Sequence, residues 1–120
     1  LEIAKGFGSA NLESDSSGDP KIRGRIDGIS YSIYFYGCTK AKNCDSIQFA
    51  TSWRISEISL KKINEWNRRK RFGKAYLDEE GDPVVLMDKN LDYGVSRTNL
   101  DDSFDWWQSI MKSFEKEFID

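Results

Sequence analysis

Two runs of alternating apolar and polar residues converge on a pair of cysteines, and this arrangement leaves the chain few ways to fold. Ile29, Tyr31, Ile33 and Phe35 alternate with Ser30, Ser32, Tyr34 and Tyr36 up to Gly37-Cys38. A polar tip then leads to Cys44, beyond which Ile47 and Phe49 alternate with Ser46, Gln48 and Ala50. A period of two is the pattern of a half-buried strand, so the segment reads as an antiparallel hairpin with its cysteines facing each other across the tip. They are the only two cysteines, and the chain contains no histidine. The pair is therefore read as a local disulfide staple, with two free thiols of a cytosolic protein as the alternative. Zinc would require further thiolate or imidazole ligands that this chain lacks. A redox dithiol would require Cys-x-x-Cys spacing at a helix N-terminus, which is also missing.

The rest of the chain supplies the partners of this hairpin. Leu1, Ile3, Ala4 and Phe7 stand at helical spacing ahead of Gly6 and Gly8, and read as the tail of an N-terminal helix whose beginning has been cut off. Residues 11–19 are small and polar and read as a loop. Ile22 and Ile26 oppose Lys21, Arg23 and Arg25, giving a strand that runs into the type I′ turn signal Asp27-Gly28. Ser59 or Ser56 can cap a helix in which Leu60, Ile63, Trp66 and Asn67 share a face, ending at the basic run Arg68 to Arg71 with Phe72-Gly73 behind it. Lys74 to Asp78 and Pro83 to Asp88 flank Glu79-Glu80-Gly81 as a second hairpin. After Ser96, a seam of Leu100, Phe104, Trp107, Met111, Phe114 and Phe118, widened by Trp106 and Ile110, marks a long amphipathic helix. The expected fold is α+β: helix, three antiparallel strands, helix, two strands, long C-terminal helix. The triplet Gly-Asp-Pro occurs at Gly18 and at Gly81, each time before a strand, and reads as two uses of one turn.

Length and charge narrow the function classes. A chain of 120 residues can bury roughly two-thirds of its unfolded surface around one core, so residues 1–120 are expected to form one domain. The net charge of -2 offers no general attraction to nucleic acid or to an anionic membrane. No apolar stretch approaches the roughly 20 residues needed to span a bilayer. The chain starts at Leu1 and not at Met, and a cleaved signal peptide is one source of such a start.

No group of residues specifies a reaction. Histidine, the commonest general base, is missing, and neither a Gly-x-Ser-x-Gly elbow nor a phosphate-cradling glycine loop occurs. Asp101, Asp102 and Asp105 sit where carboxylates complement a helix N-terminus, and Asp78, Glu79, Glu80 and Asp82 lack the spacing of a calcium loop. No catalytic residue, metal or cofactor is expected. Arg68, Arg69, Arg71, Phe72 and Lys74 form the strongest positive patch and are read as a candidate partner-binding edge. The competing structural reading pairs these cations with Glu79, Glu80 and Asp82 across the following hairpin. If Ile22, Tyr34, Tyr36 or Trp53 made the back of the sheet apolar, that face would be a second binding surface.

Several stretches taken together resemble a known family: Gly18-Asp19-Pro20, Tyr34-Phe35-Tyr36-Gly37-Cys38 with Cys44, Ser46-Ile47-Gln48-Phe49, Ile63-Asn64-Glu65-Trp66-Asn67, residues 70–78, Gly81-Asp82-Pro83 and Val95-Ser96-Arg97. The chain is similar from Gly18 onward to the bacterial YbjN family, described as sensory transduction regulators. The resemblance implies a fold like that of type III secretion chaperones and implies no activity. Its cysteine-bearing form is similar to members that begin with an export signal, implying a periplasmic or secreted address, with the cytoplasm as alternative. Chaperones of that fold commonly dimerise and hold partner segments. The expected function is accordingly a non-enzymatic regulatory module that binds a protein or peptide, alone or as a homodimer. Alternatives are a holder of extended peptides and, third, an enzyme.

Overall fold

The cysteine hairpin lies at the centre of a larger sheet. The computed structural model describes residues 1–55 and 57–119. Its elements are α1 (Glu2–Phe7), β1 (Ala10–Ser14), β2 (Pro20–Ile26), β3 (Ile29–Tyr36), β4 (Ser46–Ser52), α2 (Leu60–Arg69), β5 (Gly73–Leu77), β6 (Pro83–Asn90) and α3 (Arg97–Phe114), followed by a π-helical turn, Glu115–Ile119. The six strands form one antiparallel sheet in the order β1-β2-β3-β4-β6-β5. The α+β layout agrees with the sequence reading, with one strand added.

That strand is β1, four of whose five residues fall in the segment read as a polar loop. Only Ala10 of its five residues is buried, so the strand carries no alternation to detect. A different signal was available in the repeated Gly-Asp-Pro. Asp15 Oδ1 accepts from the Ser17 and Asp19 amides at 2.8 and 3.0 Å, and Asp78 Oδ1 accepts from the Glu80 and Asp82 amides at 2.9 and 2.9 Å. Gly18 and Gly81 take positive φ angles of 87° and 82° in the two turns. The shared motif is Asp-x-x-Gly-Asp-Pro, and in both places it joins two antiparallel strands. An aspartate that holds its own turn together works alike wherever it occurs.

The Asp27-Gly28 turn forms as read, with φ positive at both residues (51° and 81°). Ser96 caps α3 by accepting from the Asn99 amide at 3.0 Å, and Ser59 caps α2 by accepting from Lys62 at 3.1 Å. Ser56, the other candidate cap, lies outside the described residues. Gly8 follows α1 in an extended conformation, and its lack of a side chain matters because a Cβ there would sit 1.9 Å from the Arg25 carbonyl oxygen.

Every helix packs on the same face of the sheet. Ile22, Ile26, Ile33, Phe49, Val85 and Met87 point to that face and meet Ile63, Trp66, Phe104, Trp107, Met111 and Phe114 in one core. Aromatic contacts knit the layers: Phe49 lies 5.1 Å from Phe104 and 5.5 Å from Trp107, Phe7 stacks on Phe104, and Phe114 stands between Trp53 and Trp66 at 5.2 Å from each. Ile22 and Trp53 therefore belong to the helix-covered face, not to the back of the sheet. Two further residues depart from the apolar stripes read in sequence. Leu60 is 65% exposed in the first turn of α2, and Trp106 is 43% exposed on the outer side of α3. A seam drawn from spacing alone includes residues at its margins, and the width of the sheet beneath decides which of them are covered.

Candidate binding surfaces

The outer face of the sheet carries no helix, and its residues follow from strand register. Arg23 on β2 stands opposite Ser32 on β3, which is opposite Ala50 on β4, then Leu86 on β6 and Lys74 on β5. Side chains in the middle of the row are small, and those at either side are large. The β3–β4 ladder also ends at Ser32 and Ala50; beyond it the Ser30 carbonyl accepts from the Thr51 hydroxyl at 2.7 Å. Small residues and an interrupted ladder together leave a trough of about 660 Å3 along β3 and β4.

The two walls of this trough differ in chemistry. Arg23 and Arg25 form one wall. The Arg25 guanidinium donates to Ser30 Oγ at 3.2 Å, and Arg23 lies 3.8 Å from Glu13 in a solvent-exposed ion pair of little strength. Val84, Leu86 and Tyr76 form the opposite, apolar wall. Beside Tyr34 and Gln48 a polar chain crosses the sheet: Tyr36 Oη approaches Gln48 Oε1 at 3.5 Å, Gln48 donates to Asp88 at 2.8 Å, and Lys74 lies 3.9 Å from the same carboxylate. Partial burial, then the neighbouring Tyr34, Asp88 and Asp15, hold the Tyr36 phenol above its ordinary pKa. A cationic wall, a small polar floor and an apolar wall suit a ligand with an acidic and an apolar side.

The basic edge read from the sequence is divided between two faces. Arg69 leaves α2 toward the chain's C-terminal turn and pairs with Glu117 at 2.6 Å. Lys74 projects from the uncovered face toward Asp88. Arg71 lies over the Phe72 ring at 5.1 Å, and Phe72 packs edge-on against Trp106 at 4.8 Å, leaving both rings partly exposed. Arg68 is exposed nearby on α2. Among the described residues no ion pair joins the run to Glu79, Glu80 or Asp82; Arg69 and Lys74 pair with Glu117 and Asp88 instead. Gly73 is not the helix-terminating residue: Phe72 takes the positive φ of 70°, and Gly73 opens β5 where a Cβ would stand 2.8 Å from Ile110 Cγ2.

Asn67 has a second role that its place on α2 does not reveal. Its side-chain oxygen accepts from the Ala75 amide at 2.8 Å while its nitrogen donates to the Ala75 carbonyl at 2.9 Å. The amide thus occupies the outer hydrogen-bonding edge of β5 at its middle residue. Counting it with the apolar face of α2 located the residue correctly, yet nothing local shows that the strand lies within reach.

Cys38 and Cys44 are joined in a disulfide at the β3–β4 tip, and no free cysteine remains. No group of three or more metal-ligating side chains gathers among the described residues, and no described helix is long and apolar enough to cross a membrane.

Fold and surface together define a class: a two-layer α+β protein with a helix-covered face and a concave open one. The model of the YbjN family, "Putative bacterial sensory transduction regulator", matches residues 2–120, and the chain belongs to that family. No curated protein and no solved structure matches it.

Proposed function

We propose that this chain is a non-enzymatic regulatory module that binds a protein partner in the trough on the open face of its sheet. One observation carries the reading: all helices lie on one side, while the other side offers a concave surface with cationic and apolar walls. Antiparallel sheets tolerate water on one face, so a flat polar surface would be unremarkable; an amphipathic trough of this volume is the feature that favours a ligand. The regulator description of the family is consistent with a role exercised through contacts. The disulfide fits an oxidising compartment, which supports a periplasmic or secreted address.

The experiment compares three baits against extract from the native compartment: the unaltered chain, Arg25→Glu and Arg71→Glu. Arg25→Glu reverses the charge of the trough wall, and Arg71→Glu alters the Phe72–Trp106 edge. Recovery of a partner by the native and Arg71→Glu baits but not by Arg25→Glu supports the trough, and titration with the purified partner then quantifies the loss. Equal recovery from Arg25→Glu refutes it, and loss from Arg71→Glu alone moves the site to the basic edge.

The second reading, a holder of extended peptides, needs a free sheet edge. β1 offers one.

A further inference from the structure

The two edges of the sheet are not equivalent. On β5 the outward N–H and C=O of Ala75 are taken by Asn67, which blocks a further strand at that point. On β1 the geometry is the reverse. Arg25 N donates to Ser9 O at 2.9 Å, and Asp15 N donates to Asp19 O at 2.8 Å. In an antiparallel ladder inward and outward residues alternate, so Ser9, Asn11, Glu13 and Asp15 bond toward β2 while Ala10, Leu12 and Ser14 direct their backbone groups outward. Among the described residues nothing hydrogen-bonds to those outward groups. Of the features that discourage pairing at a sheet edge, Ala10–Ser14 has no proline, lysine or bulge and a single charge, Glu13. Its Leu12 is instead 58% exposed.

We infer that β1 pairs antiparallel with β1 of a second copy of this chain, across a two-fold axis through Leu12, joining two six-stranded sheets into one. The sequence of β1 is self-complementary in this register. Leu12 meets Leu12 of the second copy, Ala10 meets Ser14, and Asn11 meets Glu13, so all five residues of each strand are paired. Each row across the junction then reads Arg23, Asn11, Glu13 of the second copy, Lys21 of the second copy, with no like charges directly opposed. Sliding by two residues in one direction sets Glu13 against Glu13, and in either direction it shortens the overlap. The outward backbone groups of Ala10, Leu12 and Ser14 all find partners in the centred register. Because the axis is perpendicular to the sheet, both helix layers fall on one side and both troughs on the other. This inference is independent of what the trough binds.

Cross-linking tests the register. The native cysteines are bonded to each other, so a new cysteine is the only free thiol. Leu12→Cys places two thiols on a directly opposed, hydrogen-bonded pair with Cα atoms about 5.5 Å apart, within disulfide reach. Glu13→Cys leaves its two copies about 8 Å apart, beyond that reach. Under mild oxidation Leu12→Cys is expected to form covalent dimer roughly tenfold faster or more than Glu13→Cys, from the difference in reach. In sedimentation equilibrium the native chain is expected to show a species of twice 13.9 kDa at high concentration. Leu12→Lys, a change at an exposed position, should return it to single mass with an unaltered far-ultraviolet spectrum. A native chain that stays single at all concentrations overturns the inference and leaves β1 to a peptide. Equal cross-linking at both cysteines, or a dimer that survives Leu12→Lys, overturns it as well.

Discussion

Replacing Asn67 by alanine isolates the contact that closes the β5 edge. The substitution removes both hydrogen bonds to Ala75, at 2.8 and 2.9 Å, from a half-buried position. Two such bonds contribute about 2 kcal/mol together, while alanine recovers about 0.5 kcal/mol of helix propensity over asparagine. The expected net loss is about 1.5 kcal/mol, which lowers the melting temperature of a chain this size by about 6 °C. Urea unfolding supplies the free energy. Hydrogen exchange supplies the location, because the Ala75 amide should lose protection while amides of the β2–β3 hairpin keep theirs. Asn67→Asp is the informative companion: it keeps an acceptor for the Ala75 amide but turns a carboxylate toward the Ala75 carbonyl, so it should be destabilising despite its near-identical shape. If Asn67→Ala stayed within about 0.5 kcal/mol of the native chain, the scatter of exposed surface substitutions, with Ala75 exchange unchanged, the clamp would be refuted.

Two further perturbations address the hairpin and the core. Changing Cys38 and Cys44 together to serine should cost about 2 kcal/mol by releasing a loop of about seven residues, leaving the secondary structure intact; reductant added to the native chain should reproduce the loss in urea unfolding. No loss, or complete unfolding, would contradict the reading of a local staple. The Tyr31 hydroxyl is buried without a hydrogen-bond partner among the described residues, so Tyr31→Phe should leave stability unchanged or raise it by up to about 1 kcal/mol. Burial also pushes the Tyr31 phenol up to about 12 from the ordinary 10.0. The folded chain holds this proton more tightly than the unfolded chain. Its contribution is therefore fully present below about pH 10 and is lost as pH climbs toward 12, and Tyr31→Phe should flatten that decline in denaturation followed against pH.

Legibility followed the range of the interactions. The β2–β3 turn was readable because Asp27-Gly28 supplies the two positive φ angles at the place that needs them. Both helix caps within the described residues and most of the α3 seam were readable for similar reasons, since each depends on neighbours three or four positions away. The ion-pair partners of the basic run were not readable because its charge is local and they are not: Glu117 and Asp88 are brought to Arg69 and Lys74 only by the packing of the C-terminal turn and by the insertion of β6. β1 was missed because a strand at the sheet margin need not alternate in burial. The trough left no motif, since it is a row of small side chains drawn from different strands.

Read alone, the amino-acid order determined the β2–β3, β3–β4 and β5–β6 hairpins, the capped helices and the cysteine staple. Each arises from dihedral preferences and contacts between residues close along the chain. The tertiary structure decided that β6 lies between β4 and β5, that Trp106 meets Phe72 at the surface, that Asn67 closes one edge while β1 stays open, and that one face of the sheet is left concave. These outcomes depend on which distant surfaces compete for the same apolar area and backbone hydrogen bonds, a competition resolved only when the whole chain packs.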